Sequence, residues 1–189
     1  MPSKEERIQN LKKANAQSHQ VIVDSLREAM YELLETKDVG NIKVVDLIRR
    51  AGVSRGSFYK HFYLVTDVLK DDIKAVSDDV GASIGSDIGL NWDVILKTVY
   101  HHRKKIPLLI KAGMEMQILE QMNTGIASAD DTIQTRIVVW NGIIFNCILF
   151  WNQENYQTPI AELAEKMTTI TLPLYNAEIA AVYEIKQEN

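Results

Sequence analysis

The segment AGVSRGSFYKHF, residues 51–62, places two glycines in a run that otherwise reads as helix. Gly52 suits the left-handed residue that stops a short helix, expected over about residues 45–51 with Val45, Ile48 and Leu47 buried. Val53 restarts the chain, and Ser54 is a natural N-cap for the helix that follows. Gly56 is the odd residue. Within a helix it costs about 1 kcal/mol relative to alanine, so either packing or the close approach of another molecule must offset it.

On a helical wheel Phe58 and Phe62 lie together, four apart, and face a core. Gly56 and Lys60 then point the opposite way, with Ser57 and Tyr59 beside them and His61 toward the inner edge. The outward set is a hydroxyl, a phenol, an ammonium and bare backbone. Lys and Tyr suit phosphate oxygens, Ser suits a phosphate or a base edge, and a glycine lets a helix enter a groove closely. Two short helices joined by a tight glycine turn form the helix-turn-helix arrangement. A plain helical bundle with Phe58 and Phe62 as ordinary core fits the same pattern. Arg49 and Arg50 read either as solvated charges or as non-specific phosphate contacts.

Outward from this segment, helical periodicity continues and strand signals are scarce, so the expected fold is all-α. A stripe of Ile22, Leu26, Ala29, Met30, Leu33 and Leu34 predicts a helix over about residues 18–36, broken by Gly40 and Asn41. Thr66 or Asp67 is placed to cap a fourth helix through Val76. Residues 77–91, SDDVGASIGSDIGLN, hold Gly81, Gly85 and Gly89 and read as a flexible boundary, although the spacing of four also permits a helix. The expected division is residues 1–75, a DNA-binding domain with its connecting helix, and residues 76–189, a helical ligand-binding and dimerisation domain. Helices are expected there over about residues 92–105, 107–122, 131–153 and 159–175, with Pro107 and Pro159 near helix starts.

Charge divides the same way. The net charge is −4, with a balance of +2 over residues 1–75 and −6 over the remainder. The single Cys147 forms no intramolecular disulfide and fits a reducing compartment. The charged start MPSKEERIQNLKK lacks the apolar core of a signal peptide. The longest apolar stretch, residues 137–151, is short and holds Asn141, Gly142 and Asn146. These features predict a cytoplasmic protein with no membrane partner.

The run IKVVDLIRRAGVSRGSFYKHF, residues 42–62, resembles the signature of TetR-type transcriptional regulators, I-T-V-x-D-I-x-x-x-A-G-V-S-x-G-T-F-Y-x-H-F. The likeness covers about residues 18–75. It implies a three-helix DNA-binding unit, a connecting fourth helix, and a larger helical region for ligand binding and dimerisation. By the same resemblance Ser54, Arg55, Gly56 and Ser57 open the recognition helix. Tyr59, Lys60 and His61 grip backbone and bases, and Lys43 contacts a phosphate. Two positions depart from the pattern: Val44 replaces a common Thr, and Val65 a common Lys. Fewer phosphate contacts imply a shallower salt dependence.

In the second half Ile133, Ile137, Trp140, Ile144, Cys147 and Trp151 recur at spacings of 4-3-4-3-4. Leu163, Met167, Ile170 and Leu174 continue such a seam after Ile160, which suits an antiparallel helix pair and a dimer contact across a two-fold axis. The first of these helices is apolar on its other side too, at Val139, Ile143, Leu149 and Phe150. The connection WNQENYQTPIAELAEKM resembles the family's usual link between its dimerisation helices. Trp92, Tyr100, Met114, Met116, Met122, Trp140 and Phe145 either line an apolar effector cavity or are ordinary core. Adjacent His101 and His102 diverge on a helix and make a poor metal pair. Glu115 reads as a cation contact or as a solvated charge.

No nucleophile, base or phosphate loop is set out for catalysis, and no cofactor or metal is expected. The leading expectation is a homodimeric repressor that binds a palindromic double-stranded operator and is released by a small-molecule effector. The alternatives are an activator of the same fold working with a co-regulator, and a helical interaction module without DNA binding.

Overall fold

Ser3 and Glu6 start the first helix well before the apolar stripe that announces it. The Ser3 hydroxyl accepts from the Glu6 N–H at 3.1 Å, and the Ser3 N–H donates to the Glu6 carboxylate at 2.6 Å. In the computed structural model of the chain, α1 therefore spans Lys4–Thr36, beginning 14 residues earlier than the hydrophobic periodicity predicts. The structure describes residues 3–84, 91–124 and 131–187. Among them no strand occurs, and no helix is long and apolar enough to cross a membrane.

A 3₁₀ turn at Val39–Asn41 leads to α2 (Val44–Ala51), α3 (Arg55–Tyr59), a second 3₁₀ turn at Val65–Leu69 and α4 (Lys70–Ile84). There follow α5 (Trp92–His101), α6 (Ile106–Lys111), α7 (Glu115–Met122), α8 (Asp131–Gln153) and α9 (Ile160–Gln187). The chain divides into two compact units. One comprises Met1–Asp71 with Lys111–Gly113, the other Asp72–Ile110 with Met114–Asn189.

In the first unit, Val23, Leu26, Met30 and Leu34 of α1 meet Ile42, Leu47, Phe58, Val68 and Leu69 in a closed core. In the second unit, Trp92, Ile95 and Val99 of α5 and Trp140, Ile144 and Trp151 of α8 are fully buried. The Trp92 indole N–H donates to the Thr171 hydroxyl at 2.9 Å, which ties α5 to α9. Two polar contacts also hold α4 within this unit: Lys105 to buried Asp72 at 2.7 Å, and the His102 ring to Asp79 at 2.8 Å.

Four expected boundaries move. The flexible reading of residues 77–91 fails as far as Ile84, because α4 continues through Gly81. Buried Ile73, Val76 and Val80 lie on one face and outweigh the glycine. Gly85 and Gly89 fall outside the described residues. The division between units falls inside α4, between Asp71 and Asp72. The single helix expected over residues 107–122 is cut at Gly113, whose φ of 69° ends α6, with the Met114 N–H closing onto the Leu109 carbonyl at 3.1 Å. Finally, α9 runs through Pro173 to Gln187 rather than stopping near residue 175.

Candidate nucleic-acid interface

Gly52 has φ 66° and closes α2, and the Val53 N–H reaches back to the Ile48 carbonyl at 3.0 Å. That backbone turn sets the direction in which α3 leaves. Ser54 caps α3, its hydroxyl accepting the Ser57 N–H at 3.0 Å. The helix is only five residues long, and Phe58 anchors it in the core of its unit. Phe62 is half-buried, with its ring 5.8 Å from that of Phe58.

Opposite this anchor, Arg55, Gly56, Tyr59 and Lys60 are exposed. The Arg55 guanidinium lies 5.5 Å from the centre of the Tyr59 ring, so the two side chains orient one another. Lys43, at the N-cap position of α2, is also exposed, and neither it nor Lys60 has an acidic partner among the described residues. Ser57 is half-buried and shares a 2.8 Å hydroxyl contact with Ser54, so part of its bonding capacity is committed to the cap.

His61 does not stand on this open face. Its ring packs edge-on against His19 of α1 at 4.3 Å, and burial followed by the neighbouring His19 and Lys60 lowers its pKa from the ordinary value. Arg49 and Arg50 are already engaged, Arg49 with Asp46 at 2.9 Å and Arg50 with Glu32. Lys43 is the N-cap of α2 and Val44 its first residue, and the Lys43 N–H donates to the Asp46 carboxylate at 3.4 Å. That hydrogen bond first, with Lys37 and Arg49 assisting, lowers the Asp46 pKa against the opposing effect of burial. Val65 is half-buried in its 3₁₀ turn.

Sequence reasoning missed the tip after α3. Tyr63 and Leu64 are exposed, and their N–H groups both donate to one oxygen of Asp67, at 2.9 and 2.7 Å. The spacing of Leu64 and Asp67, that of an N-cap and its third residue, was the available signal. The His19–His61 contact carries no such local signal, because it joins residues 42 positions apart.

Burial corrects the sequence assignments in the second unit. Trp140, Ile144, Cys147, Trp151 and Leu163, expected at a dimer interface, are buried within the chain's own core. Burial also pushes the Cys147 thiol pKa up to about 11. Ile137 and Met167 are half-buried, while Ile170 and Leu174 are exposed. The more strongly apolar stripe of α8 packs inward because burying tryptophan and isoleucine together removes most area from water. The other stripe, with Val139 and Phe150, stays in solvent.

The expected effector residues divide likewise. Trp92, Met114, Trp140 and Phe145 are buried and Met122 is half-buried, whereas Met116 is exposed and cannot wall an enclosed cavity. Tyr100 belongs to an aromatic cluster with Trp151 and Tyr156, at 5.9 and 6.3 Å, and carries Arg103 over its ring. Glu115 keeps one carboxylate oxygen buried without a hydrogen-bond partner.

No protein-family model matches this chain, and no curated protein is similar to it at a significant level.

Proposed function

We infer that the chain is a DNA-binding transcriptional repressor of the TetR type, a homodimer that holds a palindromic operator and is released by a small-molecule effector. Gly56 carries the reading. It stands exposed, and a Cβ built there would meet only the Ser54 hydroxyl, at an unstrained 3.9 Å. The protein's own packing therefore has no need of a glycine that costs up to about 1 kcal/mol in a helix. An exposed glycine that the chain's own packing does not require is consistent with close approach of another molecule at this face. The surrounding Lys43, Arg55, Tyr59 and Lys60 suit a polyanion with stacked bases.

A five-residue helix reads too few base pairs to be selective alone. Two copies, with recognition helices one duplex turn of roughly 34 Å apart, read a palindrome. The exposed apolar side chains of α8 and α9 support the pairing. An effector releases DNA only by differential affinity for two arrangements, about 1.4 kcal/mol for each tenfold.

Selection of duplexes from a random library with the purified chain tests this reading. The expected winner is nearly palindromic. Gly56→Ala should leave the melting temperature unchanged or raised and yet weaken binding, as should Tyr59→Ala and Lys60→Ala. Lys60→Ala should also reduce the salt slope by about one per protomer. Binding indifferent to all three substitutions would remove the site.

A further inference from the structure

Beside the exposed charges of Arg49 and Arg50, the outer side of α2 carries one apolar strip. The sequence pattern turned Val45 and Ile48 inward with Leu47, but only Leu47 is buried, and Val45 is 57% exposed. Val44 and Ile48, one turn apart, flank it half-buried. With Lys43 and Arg55 these three residues line an open groove of about 320 Å³. An aliphatic floor thus lies between two cations, Lys43 ahead of α2 and Arg55 at the start of α3. The groove is continuous with the exposed face of α3 through Arg55, whose guanidinium sits against Tyr59. Its chemistry fits a ligand that is apolar where it meets the floor and anionic on either side.

We propose that this groove reads the 5-methyl group of a thymine in the operator. Val45 makes the contact, Val44 and Ile48 wall it, and Lys43 and Arg55 reach the flanking phosphates. Among the base edges of the major groove, thymine alone carries a methyl. The polar edges of the other bases would lose water against an aliphatic floor that offers no hydrogen bond in return. Val44, a lost phosphate donor by the sequence pattern, gains a task as part of that floor. The inference rests on the DNA-binding reading and adds a base preference to it.

The experiment replaces the thymines of the selected operator one at a time with deoxyuridine, which removes the methyl and keeps the hydrogen-bonding edge. At one symmetry-related pair of positions, wild-type affinity should fall about fourfold per half-site, the equivalent of about 0.8 kcal/mol for a buried methyl. Val45→Ala should bind thymine and deoxyuridine operators equally at that position, with an unchanged melting temperature. If it melts early, Val45→Asn, which keeps a side chain of similar size but replaces both methyls with a polar amide, serves the same comparison. Full affinity for every deoxyuridine operator overturns the proposal, as would follow if the groove took an acidic peptide instead. A deoxyuridine penalty undiminished in both Val45→Ala and Ile48→Ala overturns it too. Failure to select any duplex overturns the DNA-binding reading along with it, whereas selection without methyl sensitivity overturns the thymine assignment alone.

Discussion

His61 and Gly56 sit five residues apart and illustrate opposite constraints. Gly56 is explained by what its surroundings lack, while His61 is explained by what it touches. The imidazole packs against His19 with Lys60 next to it, and its pKa is lowered from 6.5 by burial first and by those two neighbours second. Below about pH 6.5 the unfolded chain therefore takes up a proton that the native ring resists. Native stability should fall on acidification through this window, and the fall should level off once the native ring also protonates. Thermal melts between about pH 7.5 and 5.5 should show a shallower pH dependence for His61→Gln than for the wild type. Equal slopes would mean that His61 titrates freely. The helical spacing places His61 toward the inner edge, but the neighbour it meets there, His19, lies on another helix.

Helix ends in this chain are set by a few chemical signals at fixed spacing. Ser3 with Glu6, Ser54 with Ser57, and Asp67 with Leu64 are all local pairs, and each begins a helix or 3₁₀ turn. Glycines finish the helices only where φ is positive, as at Gly52 and Gly113. A Cβ at Gly113 would meet no atom within 4 Å, so the cost of Gly113→Ala is backbone strain alone. That substitution should lower stability by about 1–2 kcal/mol, read by chemical denaturation. Gly56→Ala in the same assay should be neutral or stabilising. The opposed signs separate a glycine that the backbone requires from one that it does not. Gly113 was present in the sequence, but the periodicity of residues 107–122 bridged it, since apolar spacing does not report φ.

At the scale of the whole molecule, two apolar stripes on α8 compete for one core. Trp140, Ile144, Cys147 and Trp151 take it, leaving Val139 and Phe150 in solvent, with Phe150 52% exposed. Ile170 and Leu174 of α9 are exposed as well. Phe150→Asp should therefore weaken self-association by about tenfold or more in sedimentation analysis, with little change in melting temperature. Ile144→Ala should do the reverse, costing about 2–5 kcal/mol of stability while leaving the exposed stripe intact. A Phe150→Asp chain that self-associates like the wild type would place any dimer contact elsewhere.

The sequence by itself determined that the chain is helical, that a tight turn at Gly52 precedes a Ser54-capped helix, and that Phe58 anchors that helix. These follow from periodicity, caps and turn residues, which act over three or four positions along the chain. Only the tertiary structure decided which of two similar apolar faces is buried on α2 and on α8, and which neighbour His61 meets. Burial is a competition among segments distant in sequence for a limited interior, and spacing along one helix cannot show which face wins.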